Sequence, residues 1–243
     1  MKIVYRPSPH FRTGRRAKLD TVVLHYISAI NILPSDPYNV EECLKLLTEP
    51  IRWYDSKKKK WKDNKVSAHI VIDRNGVVYK LVNYENTSWH AGRSSWKGRE
   101  VNNSVNDISI GIEMIGGKWE PFTEAQYKSL GKLLKTDILP TFGIDRESIV
   151  GHCDVAPGRK IDPGKHFNWE KLYDIVYGKN VNLVLPDVVR IKKKEEYKNG
   201  LKNINPVPTN NITDGRDKES AGVYFRACSF FKRYFNRRRR WKQ

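Results

Sequence analysis

The sequence predicts an α/β domain, a mixed central β-sheet flanked by helices. Two observations carry this. Short runs of β-branched residues, or of alternating apolar and polar residues, recur between residues 21 and 115. Capped segments whose apolar residues return every three or four positions stand between and after them. Strand and helix signals in this order imply helices packed on a sheet.

The first strand is Thr21 to Tyr26 (TVVLHY), a short apolar run. Residues 39–51 read as a helix. Ser67 to Asp73 (SAHIVID) and Val77 to Val82 (VVYKLV) flank Arg74-Asn75-Gly76, and Asn-Gly between two such runs signals a hairpin. Asp107 to Ile115 (DISIGIEMI) alternates, with Ile108, Ile110 and Ile112 on one face and Ser109, Gly111 and Glu113 on the other. Thr123 to Gln126 fits a capping box, and Tyr127, Leu130, Leu133, Leu134 and Ile138 follow at helical spacing. Pro140 and Gly143 are expected to end that helix. Asn168 caps another, with Trp169, Leu172, Ile175 and Val176 as its apolar stripe.

Length and charge bound the rest. The chain has 243 residues, 39% of them apolar, so it can build a sizeable core. Its net charge is +18, unevenly spread. Residues 1–186 hold 29 basic and 21 acidic residues, a net +8; residues 187–243 hold 16 and 6, a net +10. The expected organisation is a folded domain over 1–186, a basic extension over 187–202, a polar linker with Pro and Gly over 203–222, and a basic aromatic tail over 223–243. That tail interleaves Phe225, Phe230, Phe231, Tyr234 and Phe235 with Lys and Arg. Three readings of it stand open: a solvating tail, a helix on an anionic membrane surface, or a polyanion-binding segment. No apolar run approaches the ~20 residues of a membrane-spanning helix. Three cysteines (43, 153 and 228) cannot close a disulfide framework. The N-terminus lacks the apolar stretch of a signal peptide, so a cytoplasmic protein is expected. Export without a classical signal peptide is the alternative.

Chemistry concentrates in Gly151 to Gly164 (GHCDVAPGRKIDPG), a Gly/Pro-rich loop holding His152, Lys160 and Asp162. His25 ends the first strand. Alone it reads as a satisfied core histidine. With His152 and Asp162 it completes two histidines and a carboxylate, a catalytic zinc composition with one position left for water. Glu113 is the odd residue of its strand. It is either a surface carboxylate or a general base beside the metal. Cys153 is read as a small filler next to His152, Cys43 as helix-face core, and His10 and His166 as surface residues.

VVLHYISA, VSAHIVIDRNGVVYKLV, TSWHAG, NDISIGIEMIG and GHCDVAPGRKIDPG, in this order, resemble the zinc-dependent N-acetylmuramoyl-L-alanine amidases. That fold is shared with phage amidase-type lysozymes and peptidoglycan-recognition proteins. The last motif is most similar to the bacterial branch that processes anhydromuropeptides. The resemblance runs from about residue 18 to 178. It implies one zinc ion per chain on His25, His152 and Asp162, water activation by Glu113, and oxyanion stabilisation by Lys160. It implies hydrolysis of the bond between N-acetylmuramic (or 1,6-anhydro-N-acetylmuramic) acid and L-alanine, in peptidoglycan fragments or cell wall. A peptidoglycan-binding module with little catalysis is the alternative. His69, His90, Trp89, Arg99, Asn106 and Asp107 fall in or beside family motifs and are expected to contact substrate or support the site.

Overall fold

The computed structural model describes residues 1–55, 59–96, 104–117 and 120–178. The basic extension, the linker and the tail lie outside the described residues, and so does Arg99. The membrane and polyanion readings of the tail therefore rest on sequence alone.

In chain order the elements are β1 (Ile3–Tyr5), β2 (Phe11–Arg12), β3 (Thr21–Ile27), α1 (Val40–Thr48), β4 (Ile51–Asp55), β5 (Lys60–Asn64), β6 (Ile70–Ile72), β7 (Val78–Lys80), β8 (Thr87–Ser88), α2 (Ser104–Ile108), β9 (Ser109–Ile115), α3 (Glu124–Leu133), α4 (Leu139–Phe142), β10 (Ile149–Gly151), α5 (His152–Val155) and α6 (Trp169–Tyr177). Six strands form one mixed sheet in the order β1-β7-β6-β9-β3-β10. β6 and β7 pair antiparallel, and the other neighbours pair parallel. β2 with β8, and β4 with β5, make two small antiparallel ribbons.

The period of two divides the sheet into two faces. Val22, Leu24, Ile70, Ile72, Ile110, Ile112 and Met114 pack in one core with Leu130, Leu133, Leu172 and Val176 of α3 and α6. Each such fully buried aliphatic side chain contributes about 1.5–3 kcal/mol. The opposite face carries two smaller clusters. One joins Val71 and Ile115 to Cys43, Leu44 and Leu47 of α1. The other joins Val23 and Val150 to Ala91, Val105 and Val155. Between them this face is polar, and the site lies there.

Caps and turns follow the sequence. Thr123 and Gln126 complete the capping box, and the Gln126 amide also donates to the carbonyls of Ile72 and Ile115, tying α3 to β6 and β9. In the hairpin, Asp73 Oδ1 accepts from the amides of Asn75 and Val77 across the turn. Two expectations are corrected. Asp107 and Ile108 belong to α2, and the strand begins at Ser109. Asp107 is drawn out of the strand by its ion pair with Arg12 and its bond from Thr87, partners that local alternation does not reveal. Pro140 does not end the α3 helix. Residues 134–138 form one wider π turn, and Pro140 then occupies the first turn of α4, where no amide hydrogen is required. Gly143, at φ 61°, makes the stop.

Candidate active site

The parallel strands β3, β9 and β10 deliver the site from their C-terminal ends, where open α/β sheets collect ligands. His25 is directly opposite Glu113 in the β3–β9 register. Gly151 pairs with Leu24, so His152, the next residue, emerges beside His25. Asp162 returns on the loop after α5, where its carbonyl accepts from the Cys153 amide at 2.9 Å.

Three donor atoms converge. His25 Nδ1 lies 2.8 Å from His152 Nδ1 and 3.0 Å from Asp162 Oδ2, and His152 Nδ1 lies 2.9 Å from that same oxygen. All three residues are buried. Burial first, then the neighbouring His152, holds the His25 imidazole down to about pKa 4, so it is neutral at pH 7. The distal nitrogens have partners of their own: His152 Nε2 is 3.0 Å from the Ala91 carbonyl and 3.4 Å from Arg159 Nη2, and His25 Nε2 is 2.9 Å from His90 Nδ1. The near nitrogens thus face one another and a carboxylate oxygen. Such a set is favourable around a cation. Tetrahedral zinc with bonds of about 2.0–2.1 Å separates its ligand atoms by roughly 3.3 Å, so this triangle fits after opening by a few tenths of an ångström.

Glu113 stands beside this triangle. The residue is half-buried, but its Oε2 is shut from solvent and has no hydrogen-bond partner. Burial chiefly, with the negative charge of Asp162 adding, raises its carboxyl to about pKa 8, while Lys160 draws it down. A carboxyl poised near neutrality, with an unpartnered oxygen and an ammonium nearby, can take and return a proton.

Residues 15–165 match the protein family described as N-acetylmuramoyl-L-alanine amidase. The chain belongs to the N-acetylmuramoyl-L-alanine amidase family. It is 39% identical over 169 residues to the 1,6-anhydro-N-acetylmuramyl-L-alanine amidase AmpD of Haemophilus influenzae, a match covering 68% of this chain and 86% of that protein. Among solved structures, an AmpD selenomethionine derivative superposes with a TM-score of 0.60 at 30% identity, covering 72% of this chain and 94% of that one. The Escherichia coli amidase AmiD, solved with the substrate anhydro-N-acetylmuramic acid-L-Ala-D-γ-Glu-L-Lys, superposes at 0.50 and 30% identity, covering 68% and 60%.

Within this amidase fold the remaining sequence-derived residues divide. His90 stands on the site face, against His25. Trp89 is half-buried, and its amide donates to Ser67 Oγ at 2.9 Å. His69, Asn106 and Asp107 are buried and engaged with internal partners. His69 Nδ1 accepts from the Gly111 amide at 3.0 Å, and Arg15 lies 2.8 Å from its Nε2. Burial and the Arg15 charge push His69 down to about pKa 3. Asn106 Oδ1 accepts from the amides of His90 and Ala91 at 3.2 and 2.8 Å, and Asp107 pairs with Arg12. His10, expected at the surface, is buried, and its carbonyl accepts from the Ser67 hydroxyl.

Sequence reasoning missed Arg159, whose Nη2 donates to the carbonyls of Ala91 and Arg93 at 2.7 and 2.6 Å. It also gave no role to Ser109 and Gly111. Their parity with Glu113 was the available signal. Ile161, between Lys160 and Asp162 in the sequence, is an apolar side chain left 65% exposed.

Proposed function

We propose that the chain is a zinc-dependent amidase that hydrolyses the bond between the lactyl carbonyl of N-acetylmuramic or 1,6-anhydro-N-acetylmuramic acid and L-alanine, releasing the stem peptide. Soluble anhydromuropeptides are the preferred substrate class in this reading, and the cytoplasm its setting. Family membership supports the reaction, and the name of the Haemophilus relative supports the anhydro sugar. The observation that carries the reading is the convergence of His25, His152 and Asp162 beside the unpartnered Oε2 of Glu113.

His25, His152 and Asp162 would hold the ion. Bound there, zinc supplies Lewis-acid polarisation of a carbonyl and lowers the pKa of a water to about 7. Glu113 accepts a proton at Oε2 as water adds to the carbonyl carbon. The Lys160 ammonium balances the charge that develops on the carbonyl oxygen. Glu113 then gives its proton to the leaving nitrogen of L-alanine, and the C–N bond breaks. His69, Asn106 and Asp107 act in this reading as supports, because their polar atoms already have protein partners.

The test is incubation of the full chain with a soluble anhydromuropeptide, with and without a zinc chelator, and mass spectrometry of the products. Chelator-sensitive release of a peptide beginning with L-alanine is expected. Glu113→Ala should retain zinc and lose turnover. Near-normal turnover by that variant sinks the assignment of Glu113. No release by zinc-loaded protein from soluble fragments or intact peptidoglycan leaves the binding-module alternative.

A further inference from the structure

We propose that the dipeptide His90–Ala91, pinned by the Asn106 side chain, is the element that fixes both histidine ligands in the tautomer with a bare Nδ1. His90 and Asn106 are positioning residues in this proposal, which rests on the metal-site reading above.

The direction of each hydrogen bond can be followed from an atom that has no choice. A carbonyl only accepts, so the single hydrogen of the Ser109 hydroxyl, in contact with the Val105 carbonyl, is committed there. Ser109 Oγ then accepts from His90 Nε2–H at 3.1 Å. With its proton on Nε2, neutral His90 offers a lone pair at Nδ1, and His25 Nε2–H donates to it at 2.9 Å. His25 is left with a bare Nδ1 on the side of His152 and Asp162. The second relay is shorter. The Ala91 carbonyl, at 3.0 Å, is closer to His152 Nε2 than the Arg159 Nη2 donor at 3.4 Å, so Nε2–H donates to that carbonyl and His152 Nδ1 is left bare as well. Two adjacent residues thus receive the distal protons of both histidines, one through a ring and the other through a carbonyl.

Those two residues are themselves held. Asn106 Oδ1 accepts from both of their amides, and Arg159 Nη2 donates to the Ala91 carbonyl at 2.7 Å. Gly111 opens the space for the ring: a Cβ there would stand 2.4 Å from His90 Cγ. Partners of this kind orient a metal-binding histidine and set which nitrogen carries the proton, and their loss costs about 10- to 100-fold in metal affinity.

The experiment uses the full chain, labelled with 15N on histidine. Long-range 15N–1H spectra of the zinc-free protein near neutral pH report the tautomer of each ring, and competition with a chelator reports zinc affinity. In the parent protein His25 and His152 should both carry the proton on Nε2. His90→Ala should give mixed tautomers at His25, leave His152 unchanged, and weaken zinc binding by about 10- to 100-fold. His90→Asn offers its Oδ1 where the ring offered Nδ1, so it should restore the His25 tautomer and most of the affinity. Asn106→Ala should disturb both histidines, and Asn106→Asp, which still accepts both amides, should disturb neither. A His25 tautomer unchanged in His90→Ala overturns the proposal, and so does an Asn variant no better than the Ala variant. If the parent tautomers are as assigned but the protein binds no zinc, the zinc-amidase reading fails and the tautomer relay stands.

Discussion

Gly111→Ala is the sharpest test of the packing that builds the site. Gly111 is a strand interior residue, where alanine ordinarily stabilises by about 0.4–1 kcal/mol through the unfolded chain. Here the added Cβ would stand 2.4, 2.6 and 2.7 Å from Cγ, Cδ2 and Nδ1 of His90. Ordinary contact begins at 3.4 Å, so the ring must move by about 1 Å or the strand must bend. A shift of that size strains the 2.9 Å bond from His25 and the 3.1 Å bond to Ser109. Overpacking of this kind costs about 1–3 kcal/mol, more than alanine returns, so a net loss on the order of 1–2 kcal/mol is expected. Urea denaturation of the zinc-free full chain gives the value from the midpoint shift at constant slope. The decisive comparison is a double-mutant cycle with His90→Ala. Removing the ring removes the clash, so Gly111→Ala should cost much less in that background. The coupling should fall in the range of about 0.5–3 kcal/mol. Additivity to within about 0.5 kcal/mol would mean that the ring is not held over Gly111, and the reasoning fails.

Three further outcomes follow from the structure. Because Glu113 works as a base when deprotonated and burial raises its carboxyl to about pKa 8, kcat/KM should rise with pH along an acid limb, lying below 8 in the zinc-loaded enzyme because a nearby cation favours the carboxylate. Lys160→Ala removes a charge that lowers this pKa, so the limb should move up; a limb that stays or moves down contradicts the placement of Lys160 beside Glu113. On the far face, a Cβ on Gly131 of α3 would stand 2.3 Å from Ile175 Cγ2 of α6, so Gly131→Ala should destabilise by about 1–3 kcal/mol despite better helix propensity, and Ile175→Ala should relieve it in a thermal melt.

Much of this arrangement is legible in the sequence where the signal is local. β3 and β9 announce themselves by apolar runs and parity, the hairpin by Asn75-Gly76, and α3 and α6 by Thr123 and Asn168 at their starts. Strands of two or three residues, such as β2, β8 and β10, carry too few positions to show a period, and they exist because of distant partners. The same limit governs the site. His25, His152 and Asp162 are recognisable by type and motif. Whether His69, Asn106 or Asp107 faces a ligand or the protein depends on Arg15, Gly111, Ala91 and Arg12, which lie from 15 to 95 residues away along the chain.

The site face of β9 shows why local alternation and long-range function agree at this one strand. Ser109, Gly111 and Glu113 project to one side at a period of two, and each has a separate task in the proposed mechanism. Ser109 Oγ contacts His90, which in turn contacts His25, Gly111 makes room for the His90 ring, and Glu113 stands opposite His25 in the register. Ile110, Ile112 and Met114 project to the other side and are fully buried against the core that α3 and α6 complete. A slip of one residue would bring the serine, the glycine and the glutamate into that core and turn the apolar set toward His25, His152 and Asp162. The register is therefore fixed twice, by an apolar core on one face and by the hydrogen bonds and packing of the polar site on the other. The sequence can vary on such a strand only where both faces tolerate it, which is why the segment ISIGIEMI reads at once as a strand and as part of a site.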